Sequence, residues 1–212
     1  GFGLLLRARA ALLCGRWQEA LADARRALAA RQLARGEQVL AHNLVARICR
    51  SMGEIEEALC AEKAAFDVAD TLEDKAASWS NYLFALHYVE REPQFMLDAA
   101  RRYGELFKGV PRMKRVPKRR GKIRIGYISP DFTFHIVALF SFAFFTHFDK
   151  ARFEVFGYSL AGENAMAEEL SSHASAWRYV GGETPAEIAE RIRADEIDIL
   201  FDLAGHSANN AL

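Results

Sequence analysis

Near residue 110 the chain changes its composition, and no single layer architecture suits both halves. Residues 1–107 are dominated by Ala, Leu, Arg and Glu, with Pro93 as the sole proline, so good helix formers run throughout. Residues 122–212 instead alternate β-branched or aromatic runs with helical ones. Between them GVPRMKRVPKRRGK (109–122) holds two prolines and seven basic residues and reads as a solvated linker. The expected fold class is α + α/β, with a helical region at 1–107, a basic linker at 108–121 and a parallel-sheet region at 122–212.

The helical half repeats itself. CGRWQEALADARRAL (14–28) aligns with MGEIEEALCAEKAAF (52–66), each with a glycine, one intervening residue, an aromatic or aliphatic side chain, one further residue and then Glu-Ala-Leu. Small residues recur at helix-contact positions: Ala8, Ala20 and Ala27 in one copy, Ala46, Ala58 and Ala65 in the other. The pattern is tetratricopeptide-like, although Gly15 and Gly53 are 38 residues apart, against a unit of about 34. An extended loop between copies is expected. A third pair is predicted at 78–89 and 93–107, with Pro93 suited to a first helical turn.

In the second half, strands are predicted at 122–129, 152–160, 176–181 and 197–206, and helices at 136–148, 163–174 and 184–196. The last helix has Thr184 as N-cap, Pro185 at its first position and Glu187 completing a capping box. Strict strand-helix alternation implies a parallel sheet with right-handed crossovers. IDILFDL (197–203) is apolar on nearly every residue, as expected of a strand covered on both faces.

Lys+Arg and Asp+Glu number 28 each, which disfavours nucleic acid as the main partner. The linker's basic run has no interleaved aromatics, so it is not expected to bind nucleic acid. Cys14, Cys49 and Cys60 form neither a disulfide framework nor a metal spacing, which suits a reducing, cytoplasmic setting. No apolar run reaches the ~18 residues of a membrane span. The chain starts at Gly1 and ends at Leu212 just after a motif-like stretch, so a fragment of a longer protein is expected.

A dinucleotide fingerprint, a phosphate-binding loop, a zinc ligand spacing and a nucleophile elbow are all missing from the sequence. Two histidines stand out by position. His135, in ISPDFTFHIVALF (128–140), and His206 each follow a predicted strand, where open α/β sheets hold their ligands. An imidazole there can serve as a general base or, more plainly, as a packed helix cap. Asp131 and Asp202 stand near them and could orient a ring or cap a backbone. His42, His87, His147 and His173 lie within or at the ends of predicted helices and read as structural.

In chain order stand the repeats, SNYLFALHY (80–88), the linker, IRIGYISPDFTFHIVALF (123–140), FDKARFEVFGYS (148–159) and IDILFDLAGHSANNAL (197–212). This series resembles the bacterial branch of the O-linked N-acetylglucosamine transferases, a branch that includes plant SPINDLY-type relatives. The most specific pieces are RIGYISPDFTFH (124–135), RFEVFGYS (152–159) and DLAGHSANNAL (202–212). The resemblance implies two Rossmann-like lobes with a nucleotide sugar between them, preceded by a repeat superhelix that receives the protein substrate. The present chain would hold the repeats and a truncated first lobe.

The resemblance implies that His135 is the catalytic histidine of a D-F-x-x-H motif and that Asp131, His206, Ser207 and Asn210 line the donor crevice. Animal relatives carry Tyr at the position of His206, so it is not expected to be an essential base. The donor implied is UDP-N-acetylglucosamine or a related nucleotide sugar; related enzymes use GDP-fucose or UDP-glucose. Neither a cofactor nor a metal is implied. The implied partners are an acceptor protein bound through the repeats and the nucleotide sugar, with no nucleic acid and no membrane.

Three departures stand out. Ile136 follows the motif histidine where Pro or Ser is usual, and Ala211 stands where Arg commonly follows Asn. The family's nucleotide-binding lobe lies downstream of Leu212, so this portion alone is expected to be inactive. The expected function is part of a protein O-glycosyltransferase acting on Ser or Thr. The alternatives are a non-catalytic peptide-binding repeat module and a related protein N-glucosyltransferase.

Overall fold

The structure, a computed structural model, describes residues 1–30, 33–111, 121–207 and 209–210. Two compact units result, Gly1–Pro111 and Arg112–Leu212. Most of the basic segment read as a linker, residues 112–120, lies outside the described residues, as do 31–32 in the loop between the first two repeats.

The first unit consists of helices α1 (Phe2–Leu13), α2 (Trp17–Ala29), α3 (Arg35–Met52), α4 (Ile55–Val68), α5 (Leu72–Leu86) and α6 (Pro93–Leu106). The aligned glycines explain the hairpins. Gly15 and Gly53 take φ of 70° and 82°, the left-handed region that a Cβ disfavours. The Arg16 N–H donates to Ala11 O and the Glu54 N–H to Cys49 O, both at 2.9 Å. This i-to-i−5 bond is the Schellman closure of a helix end, repeated at both turns. All six repeated alanines, Ala8, Ala20, Ala27, Ala46, Ala58 and Ala65, have 0% exposure. Small side chains at these seams let helix backbones approach closely. The third pair opens earlier than its sequence suggests. Helix α5 starts at Leu72 rather than near Ser78, because the Thr71 hydroxyl accepts the Asp74 N–H at 3.0 Å and caps it. Pro93 occupies the first turn of α6, and the Trp79 indole N–H donates to Ala99 O at 2.9 Å, tying α5 to α6.

The second unit runs β1 (Ile123–Ser129), α7 (Ile136–Thr146), β2 (Phe153–Ser159), α8 (Ala165–His173), β3 (Ala176–Tyr179), α9 (Pro185–Ala194) and β4 (Ile199–Asp202). The four strands form one parallel sheet in the order β3-β2-β1-β4. Side-chain alternation divides its core in two. Ile128, Phe156 and Tyr158 pack with Ile188 of α9, whereas Val155 packs with Ala138 and Phe145 of α7 and Leu170 of α8. Helices therefore cover both faces, the helical repeats-plus-Rossmann-like architecture expected.

Strand β4 departs from expectation. It covers Ile199–Asp202 rather than 197–206, because the Asp202 carboxylate accepts the Ala204 and Gly205 N–H groups and turns the chain. It is also not covered on both faces: Ile199, Leu200 and Phe201 are 45–46% exposed. Among the described residues β4 is the outer strand and pairs through β1.

Candidate functional site

The strand order places a topological switch point between β1 and β4. From β1 the chain steps outward to β2 and β3, then returns to the other side of β1 for β4. The loops after β1 and β4 leave the sheet at its carboxyl edge on either side of that point, the place where open α/β sheets hold their ligands. Ile128 lies opposite Asp202, and the Leu203 N–H donates to Ile128 O at 3.0 Å. The His135 loop and the His206 loop therefore leave neighbouring strands at the same level.

The β1–α7 loop is built around buried anchors. The Ser129 hydroxyl, on a residue with 0% exposure, accepts the Asp131 N–H at 3.0 Å. Phe132 is fully buried, edge-on to Phe145 at 5.7 Å between ring centroids and tilted over Trp177 at 5.1 Å. The Asn164 side-chain amide donates to Phe132 O at 3.1 Å while its Oδ1 caps α8 by accepting the Met166 and Ala167 N–H groups. Asn164 thus locks the β1–α7 loop to the β2–α8 loop. Phe134 projects outward, 91% exposed. It borders a groove of about 650 Å³ that Thr133, Leu139, Phe142, Met166 and Glu169 also line.

His135 is the N-cap of α7. Its backbone is extended, and its Nδ1 accepts the Val137 N–H at 3.3 Å. The ring is a cap, but it is not packed away: the side chain is 46% exposed. Asp131 Oδ2 lies 3.9 Å from the same Nδ1. The residues Asp131 and His135 are thus brought together in the loop after β1. An imidazole beside a carboxylate, open to solvent, can hold or pass a proton.

The loop after β4 carries His206, Ser207 and Asn210. Gly205 takes φ of 54°, the Asn210 side-chain amide donates to Ser207 O at 2.6 Å, and the Ser207 N–H donates to Ala204 O at 3.1 Å. The Ser207 hydroxyl is buried and finds no hydrogen-bond partner among the described residues. The pairing of β1 with β4 brings this group to the same edge as Asp131 and His135. Among the described residues no cluster of three His, Cys, Asp or Glu could hold a metal ion. No described helix is long and apolar enough to cross a membrane.

Phe132 and Asn164, which fix the loop, were not singled out from the sequence. The signal for Asn164 was available: Asn directly before AMAEEL is a helix-cap pattern. No local pattern marks Phe132 as the buried member of a Phe132/Phe134 pair.

Residues 108–211 match the family model for glycosyl transferase family 41. SPINDLY of Solanum lycopersicum, named as a probable UDP-N-acetylglucosamine–peptide N-acetylglucosaminyltransferase, is 31% identical over 151 residues, covering 66% of this chain and 16% of that protein. The protein of the same name from Arabidopsis thaliana is 39% identical over 95 residues, covering 42% of this chain and 10% of its own length. Among solved structures, a mutant O-GlcNAc transferase of Thermobaculum terrenum superposes with a TM-score of 0.77 at 28% identity, covering 98% of this chain and 40% of that one. The chain thus spans less than half the length of each of these relatives.

Proposed function

Because this chain belongs to the O-GlcNAc transferase-like proteins of glycosyl transferase family 41, we propose that it is the repeat region and first-lobe portion of a protein O-glycosyltransferase. The reaction is transfer of N-acetylglucosamine from UDP-N-acetylglucosamine to a Ser or Thr hydroxyl of a protein. The observation that carries this reading is the position of His135 at the β1/β4 switch point, where a parallel sheet receives its ligand. In the reaction the acceptor oxygen bonds to the anomeric carbon as the bond from that carbon to the diphosphate oxygen breaks. The hydroxyl proton passes to His135 or is relayed by it. Groups beyond this chain stabilise the departing diphosphate. The helical hairpins of the first unit bind the acceptor polypeptide.

The test uses the longer protein containing this chain and a downstream lobe like that of its relatives. UDP-N-acetylglucosamine-dependent labelling of a Ser/Thr peptide is expected. His135→Ala is expected to lower kcat by roughly 10²–10⁴, the usual contribution of a positioned acid or base. Full activity in that variant sinks the role of His135, and labelling of no peptide by the longer protein sinks the transferase reading. The 212-residue chain alone is expected to show no micromolar UDP binding by calorimetry.

A further inference from the structure

The proton-accepting role just assigned to His135 conflicts with the hydrogen bond its ring makes. Nδ1 accepts the Val137 N–H at 3.3 Å. A nitrogen that accepts an N–H carries no proton, so a neutral ring held this way carries its proton on Nε2. In that tautomer Nε2 only donates, and it cannot take a proton from an acceptor hydroxyl. A basic Nε2 requires the proton on Nδ1, and that proton requires an acceptor of its own. Asp131 offers one, with Oδ2 at 3.9 Å from Nδ1.

We infer that Asp131 is a positioning residue that selects the base form of His135, and that the capped ring is the non-basic member of a two-position pair. This inference rests on the reading of His135 as the proton acceptor. Asp131 is well fixed for the task, because its backbone N–H is held by the buried Ser129 hydroxyl at the end of β1. Its carboxylate is 23% exposed and keeps an open oxygen toward the ring. The His135 ring is 46% exposed and has room to turn. Closing the gap by about 1 Å reaches the length of a charge-assisted hydrogen bond. The movement exchanges one partner for another: the Val137 N–H loses its cap and meets water, while Nδ1–H gains a carboxylate. The first turn of α7 and the basicity of His135 are therefore coupled.

The tautomer is read directly by long-range ¹H–¹⁵N correlation of ¹⁵N-histidine-labelled chain at about pH 9, where an imidazole is neutral. The native chain is expected to report mainly the Nε2–H form with a minor Nδ1–H contribution. Asp131→Ala is expected to move both ring ¹⁵N shifts to the pure Nε2–H limit. Val137→Pro removes the competing N–H at a first-turn position that tolerates proline; it is expected to give mainly Nδ1–H, and adding Asp131→Ala is expected to return the ring to Nε2–H. The inference is overturned if Asp131→Ala leaves the ring shifts unchanged, or if the double variant keeps Nδ1–H. In the longer enzyme, Asp131→Ala is expected to lower kcat roughly tenfold or more with little change in the acceptor KM. An active His135→Ala enzyme would remove the base reading but not the tautomer result. An inert Asp131→Ala shift alongside an inactive His135→Ala enzyme would remove only the present inference.

Discussion

Phe132 holds the candidate site in place without touching its chemistry. Its ring is fully buried against Phe145 and Trp177, and its carbonyl takes the Asn164 amide three residues before His135. Phe132→Ala is expected to destabilise the second unit by about 3–5 kcal/mol, the usual cost of emptying a buried aromatic site, as measured by urea unfolding. Gly157 is a second such residue. A Cβ there would meet Trp177 ring atoms at 2.2 and 2.3 Å, so the indole of β3 lies directly on the β2 backbone. Gly157→Ala is expected to cost about 1–3 kcal/mol by overpacking, with Trp177 fluorescence reporting the displaced ring. His135 could be picked out from the sequence because a histidine between a strand and a helix is visible locally. The needs of Phe132 and Gly157 could not, since each depends on Trp177, which is distant in sequence and arrives only through strand pairing.

Helix ends were the most legible elements. Thr184, Pro185 and Glu187 form the capping box their spacing predicts: the Thr184 hydroxyl accepts the Glu187 N–H, and the Glu187 carboxylate accepts the Thr184 N–H at 2.7 Å. The backbone N–H of Thr184 and then its hydroxyl hold the Glu187 carboxyl below its ordinary pKa. A lowered carboxylate pKa means that the unfolded chain binds the proton more readily. The stabilisation is therefore present above the unfolded value and is lost as pH falls through the folded one. Thr184→Ala is expected to cost about 1 kcal/mol at neutral pH, and the gap between native and variant in thermal unfolding should narrow on acidification below the ordinary carboxylate range. A gap that stays constant with pH would rule out a share of the Thr184 hydroxyl in that lowering, since the backbone N–H remains in the variant. The hairpin turns at Gly15 and Gly53 were legible for a related reason, since a left-handed residue in a repeated position calls for glycine. The start of α5 was missed because residues 67–77 lack an apolar rhythm, and the Thr71-x-x-Asp74 pattern that caps it is brief.

At the scale of the whole chain, the parallel sheet followed from strand-helix alternation, but the order β3-β2-β1-β4 did not. Strand order depends on pairings between segments far apart in sequence, and no periodicity within a strand encodes its neighbour. The sequence therefore indicated that His135 and His206 share an edge, whereas only the structure puts their strands side by side. Among the described residues the same order leaves β4 outermost, with Ile199, Leu200 and Phe201 about half-exposed. Such an edge is a template for pairing with another chain, and the three half-exposed residues differ in what they do. Phe201 stacks on Tyr127 at 5.4 Å between ring centroids and contributes to the fold. Ile199, at 45% exposure, lies opposite Ile125 at the start of the strand and has no ring contact to lose. Ile199→Lys is therefore expected to reduce concentration-dependent self-association in sedimentation velocity while leaving the unfolding transition nearly unchanged. Phe201→Lys is expected to lower both association and stability. Equal association of the Ile199→Lys and native chains across the concentration range would show that the β4 edge is not where copies of this chain meet.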